Sequence, residues 1–112
     1  MSKRTTNITT NNSNTIVYSF NTARNGRGST KIRGYVSGTF DSGTVTVKTT
    51  IDGGSNYFNE KSGGSDITLT SAGYFELDLA CVVDAGTKPI ELAVGVTGAT
   101  NPNLNVVVFD GE

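Results

Sequence analysis

The residues that could do chemistry are few and poorly grouped for it. The chain has 112 residues, no His, no Trp and a single Cys. Without His, the usual general base of nucleophilic catalysis is missing. Cys81 lies in the apolar run Leu79-Ala80-Cys81-Val82-Val83. A reactive thiolate needs a basic partner, and none is adjacent, so a small core residue is the expectation. One Cys allows no intramolecular disulfide, and zinc sites are built mainly from Cys and His. No metal and no cofactor is expected.

The carboxylates offer little more. Asp41, Glu60, Asp66, Glu76, Asp78 and Asp84 could in principle supply an acid–base pair for glycoside hydrolysis. Glu76 and Asp78, two apart on a strand, share one face and read as surface decoration. Asp52-Gly53-Gly54-Ser55-Asn56 lacks the alternating carboxylates and closing Glu of a calcium loop, and reads as a hairpin turn. Gly26-Arg27-Gly28 is followed by no helix that could hold a phosphate. The expectation is a protein that is not an enzyme. Four aromatics could serve binding instead: Tyr35, Tyr57, Phe58 and Tyr74 suit a glycan platform or a protein interface. Tyr57 and Phe58 are neighbours, so on a strand they point to opposite sides.

Charge is unevenly spread. Residues 1–33 carry six basic side chains and no acid, whereas residues 34–112 carry three Lys and all ten acids. The basic set is Lys3, Arg4, Arg24, Arg27, Lys31 and Arg33. Together with Ile8 these residues are the expected docking elements for an acidic surface, on another copy or on a different protein. Nucleic acid is not expected, because the basic residues are sparse and not interleaved with aromatics. No apolar run approaches the ~20 residues of a membrane span. No apolar segment follows Met1-Ser2-Lys3-Arg4 as a secretory signal would require, so synthesis in a cytoplasm is expected and the Asn7-Ile8-Thr9 acceptor pattern carries little weight.

The elements that must position these residues are strands. Thr, Asn, Ser and Gly supply nearly half of the chain, and hydrophobic residues only 35%. No stretch repeats apolar residues at helical spacing. Alternation is frequent: Thr44–Ile51 points Val45 and Val47 inward, Tyr74–Leu79 points Phe75, Leu77 and Leu79 inward, and Ile90–Val96 does the same with every second residue. Further strands are expected at 14–20, 31–40, 55–60, 66–70 and 104–109. Asp41-Ser42-Gly43 is expected to turn the chain with Gly43 supplying a positive φ. About eight strands at this spacing predict an all-β domain, a sandwich or jelly-roll-like fold. Residues 1–13 read as an extended polar and basic arm, and 14–112 as a single β-sandwich domain. Its core is thin, so a homo-oligomer is expected.

Three pieces carry a resemblance: Gly38-Thr39-Phe40-Asp41-Ser42-Gly43-Thr44-Val45-Thr46-Val47, Asp52-Gly53-Gly54-Ser55-Asn56-Tyr57-Phe58 and Leu69-Thr70-Ser71-Ala72-Gly73. Over roughly residues 34–80 the chain resembles small β-sandwich virion proteins of tailed bacteriophages. The aromatic after the hairpin, often Trp there, is here Tyr57-Phe58. The resemblance implies a structural virion protein made in the host cytoplasm. It would decorate or cement the capsid, with the major capsid protein or other virion subunits as partners. A host-surface glycan-binding module and a neck or tail connector are the alternatives.

Overall fold

The structure, a computed structural model, describes residues 3–19, 28–50, 53–81 and 90–110, with side chains described except at 28–31, 78–81 and 110. Among the described residues the chain forms eleven strands and no helix. They are β1 (Lys3–Ile8), β2 (Asn12–Ser19), β3 (Gly28–Thr39), β4 (Thr44–Thr50), β5 (Phe58–Asn59), β6 (Lys61–Ser62), β7 (Ser65–Asp66), β8 (Thr68–Leu69), β9 (Gly73–Cys81), β10 (Glu91–Thr97) and β11 (Asn103–Asp110).

The strands sort into two main sheets. The first runs β1-β11-β3-β9, and the second runs β2-β10-β4 with β5 and β8 both along the outer edge of β4. Every pairing is antiparallel. The first half of the chain pairs with the second in reverse order: β1 with β11, β2 with β10, β3 with β9, and β4 with β5 and β8. This is the pairing of a jelly roll, one long hairpin rolled into two facing sheets. The all-β sandwich read from the alternation is the fold observed.

The core lies between the sheets. Ile32 and Val36 of β3, Phe75 and Leu77 of β9, and Leu104, Val106 and Val108 of β11 face Val45 and Val47 of β4 and Leu92, Val94 and Val96 of β10. Each side chain of this kind stabilises the fold by about 1.5–3 kcal/mol when fully buried. In β2 the register shifts between the partners of Leu92 and Ala93, and Val17 and Tyr18 are both buried. A bulge there resolves which face of this strand is inward: neighbours share the core, which strict alternation forbids.

Four sequence expectations change. The segment read as an arm is part of the body: β1 pairs with β11 from Lys3↔Phe109 to Ile8↔Leu104, and β2 begins at Asn12. A polar strand needs no apolar face when its backbone completes the edge of a sheet. Ile8, expected to dock on a partner, is 4% exposed and belongs to the core. The turn after Phe40 takes its positive φ at Asp41 (49°) and Ser42 (71°), not at Gly43. Gly43 is needed for space instead, since a Cβ there would come 2.7 Å from Ala99 Cβ. Asp41 is tied down by bonds from Thr100 N to its carbonyl (3.2 Å) and from Asn101 N to Oδ2 (2.8 Å).

The strand expected at 55–60 is shorter and belongs to an interrupted edge. β5 and β8 pair with successive parts of β4, while Glu60 N donates to Val47 O and Val47 N to Ile67 O. Between them β6 and β7 form a small hairpin whose turn residues Gly63 and Gly64 both have positive φ. Interrupting an edge in this way blunts it against unwanted pairing.

Candidate binding face

The outward side of the first sheet gathers the residues most suited to binding. Register places them in rows. One row reads Lys3, Phe109, Arg33 and Glu76 across β1, β11, β3 and β9. The next reads Thr5, Val107, Tyr35 and Tyr74, and a third begins Asn7, Asn105 and Ser37. Alternation turns all of these away from the core, because their chain neighbours Ile32, Val36, Phe75, Leu104, Val106 and Val108 fill it.

Three aromatic rings meet there. Tyr35 and Tyr74 have ring centroids 5.9 Å apart with a 37° tilt, and Tyr35 meets Phe109 edge-on at 5.8 Å. Tyr35 is 41% exposed and Tyr74 60%. Beside them Arg33 forms a salt bridge with Glu76, donating through Nε at 3.0 Å and also through Nη2. The hydrogen bond that Arg33 donates to Glu76, and then the one to Tyr35, push the guanidinium pKa above its ordinary value. At the other end of the face the Asn7 amide donates to Asn103 Oδ1 (3.0 Å), Leu104 O (3.0 Å) and Asn105 Oδ1 (3.3 Å). The result is an aromatic stripe across three strands, with a fixed ion pair on one side and a fixed amide cluster on the other.

The expected docking residues divide. Lys3 is exposed on this face. Arg4 belongs to the row of Val108, and its Nη2 donates to Ile16 O at 3.4 Å, bridging the edges of the two sheets. Arg33 lies on the face, but its charge is engaged by Glu76. Lys31 stands opposite Asp78 in register, with its side chain outside the described set. Arg24 and Arg27 lie outside the described residues.

The four expected aromatics divide too. Tyr35 and Tyr74 come together, while Tyr57 is half-buried beside Gly54 and Phe58 stands 56% exposed on β5 of the second sheet. Sequence reasoning missed Phe109. Its signal was parity, since it sits one strand period from Val107 in a run where Val106 and Val108 face inward.

The carboxylates serve structure. Glu60 accepts from Thr49 Oγ1 at 2.6 Å, and Asp66 accepts from Lys61 and Asn59. Among the described residues no three His, Cys, Asp or Glu side chains converge as metal ligands would. The Cys81 side chain lies outside the described set. Comparison of the chain with protein-family models, with curated proteins and with solved structures finds no significant match.

Proposed function

We propose that this protein is a non-catalytic structural subunit of a tailed-bacteriophage particle. It would decorate or cement the capsid by docking the outward face of its first sheet on the major capsid protein or another virion subunit. The observation that carries this reading is the stripe of exposed Tyr35 and Tyr74 with half-buried Phe109, flanked by Lys3 and Arg33. Tyr and Arg are the residues that anchor protein interfaces, because they combine a large apolar area with a polar tip. The resemblance over residues 34–80 supports the virion setting, and the jelly-roll pairing suits it. A fold alone does not assign a function, so the reading stands on the face.

A second reading has its own observation. Exposed tyrosine rings beside a held cluster of Asn7, Asn103 and Asn105 amides could stack on sugar rings and bond their hydroxyls. That favours a glycan-binding module of a tail or outer shell. A neck or tail connector is set apart by number.

The test is copy number in gradient-purified particles, by quantitative mass spectrometry against the major capsid protein. Decoration predicts copies equal to the capsid protein or a simple fraction of it. A few copies per particle would point to neck or tail, and absence would sink the virion reading. The double variant Tyr35→Ala/Tyr74→Ala then separates the two uses of the face. Decoration predicts lost particle binding with the fold retained. The glycan reading predicts lost binding to host-surface polysaccharide instead.

A further inference from the structure

Both edges of the first sheet end in strands that lack a backbone partner among the described residues: β1 on one side and β9 on the other. Their charges are opposite. β1, KRTTNI, carries Lys3 and Arg4 and no acid. β9, GYFELDLAC, carries Glu76 and Asp78 and no base. A second β9 paired antiparallel beside β9 would set Glu76 against Asp78, and a second β1 beside β1 would set Lys3 and Arg4 opposite neutral residues that offer them no attraction. A β1 beside a β9 would set unlike charges together.

The directions fit as well. Three antiparallel steps separate β1 from β9, so the two edges run antiparallel to each other. A second copy in the same orientation, moved sideways, therefore presents its β1 antiparallel to the first copy's β9. That is the geometry of an ordinary ladder.

We propose that copies of this protein join head to tail through β1 of one and β9 of the next, continuing the first sheet across the junction. Of the registers that engage all six residues of β1, one sets Lys3 opposite Asp78, Thr5 opposite Glu76 and Asn7 opposite Tyr74, and it alone places Lys3 directly across from an acid. It is in phase, so the outward residues of one copy meet the outward residues of the next. Lys3 then has Asp78 directly across and Glu76 on the diagonal. Contacts of this kind are heterologous, and they close into a ring or extend as a filament according to the rotation between copies. The aromatic stripes of successive copies lie on one common side of the assembly. The inference deepens the homo-oligomer expected from the thin core and does not rest on the particle.

The test uses the purified full chain. Light scattering coupled to size exclusion, at rising protein concentration and low salt, is expected to show multiples of 11.7 kDa. Raising the salt should shift the distribution toward monomer, because the junction is charge-matched and exposed. Lys3→Glu should give a folded monomer, with an unchanged far-ultraviolet dichroism spectrum. Lys3→Glu/Asp78→Lys should restore the multiples. A wild-type protein that stays monomeric at millimolar concentration overturns the proposal. So does an oligomer that Lys3→Glu leaves intact. Because no particle is present, these outcomes are independent of copy number in virions.

Discussion

The outward sides of the two sheets are built on opposite principles. On the second sheet the residues facing out from β10 are small, Ala93 and Gly95, and both are buried. Lys48 lies over them, its ammonium donating to Ser13 O at 3.0 Å, so its aliphatic stem serves as a lid. On the first sheet the corresponding residues are large, Tyr35, Tyr74 and Phe109, and nothing among the described residues covers the two tyrosines. Chain that could have been spent covering them is spent elsewhere. Grouped aromatic rings are thus a property of the first sheet's outward face, whereas the second sheet exposes the single ring of Phe58 at its β5 edge among the described residues.

The open face is disrupted most severely from beneath. Gly34 faces the core, and a Cβ there would lie 2.2 Å from Phe75 Cζ. The ring of Phe75 fills the space that a side chain would take, and this seats β9 with Tyr74 against Tyr35. Gly34→Val is expected to cost about 3 kcal/mol through overpacking. Urea unfolding would measure it, and the exposed face should lose its ligand or partner in parallel.

Next comes the closed face. A Cβ at Gly95 would approach Ser13 O to 2.6 Å, with backbone that cannot step aside freely. Gly95→Val should lower stability by about 2 kcal/mol, read from the same denaturation curves. Removing the lid is milder. Lys48→Ala loses one hydrogen bond and the cover over Gly95, for an expected cost of about 1 kcal/mol. A loss below a few tenths would mean that the lid is decorative.

On the open face the effect falls on binding and not on stability. Tyr74→Ala should change stability by no more than about 0.5 kcal/mol, since an exposed ring is not holding the core. Its effect should appear in binding, measured against particles or polysaccharide. A loss of stability rivalling that of Gly95→Val would show Tyr74 to be structural and would remove the reason for treating the face as a binding surface.

The smallest effect is electrostatic and sits at the edge of the second sheet. Hydrogen bonds from Lys61 and then Asn59 hold the Asp66 carboxyl below the ordinary aspartate range. A lowered folded value means that this contribution is complete above the unfolded value of about 3.9 and is lost as pH falls through the folded value. A carboxyl titration followed by nuclear magnetic resonance should place the Asp66 midpoint below that of a free aspartate. Lys61→Ala should move it upward.

Much of the fold was legible from period-two alternation. Thr44–Thr50, Gly73–Cys81 and Glu91–Thr97 appear where Val45, Phe75 and Leu92 mark an inward face. β1 was not legible as a strand of the body. Its Thr and Asn side chains show no apolar face, and the backbone bonds to β11 that hold it leave no mark on residue types. The Asp41-Ser42 turn was misjudged for a related reason, since what tolerates positive φ there is anchoring by Thr100 and Asn101 from a distant loop. The site was half legible. Tyr35 and Tyr74 were candidates among four aromatics, but nothing local distinguishes them from Tyr57 and Phe58.

Residue types and their alternation alone make the chain all-β, divide its charge between an N-terminal basic third and an acidic remainder, and leave no histidine for catalysis. These follow from composition and from a periodicity that any strand must obey. Which strands are neighbours is settled by the folded chain. It therefore also settles that Tyr35, Tyr74 and Phe109 form one stripe, that Ile8 is core, and that a basic and an acidic strand end up on opposite edges of one sheet. The physical reason is that alternation tells each residue which side to face, while register, the choice of partner strand, is fixed by how the whole rolled hairpin closes on its core.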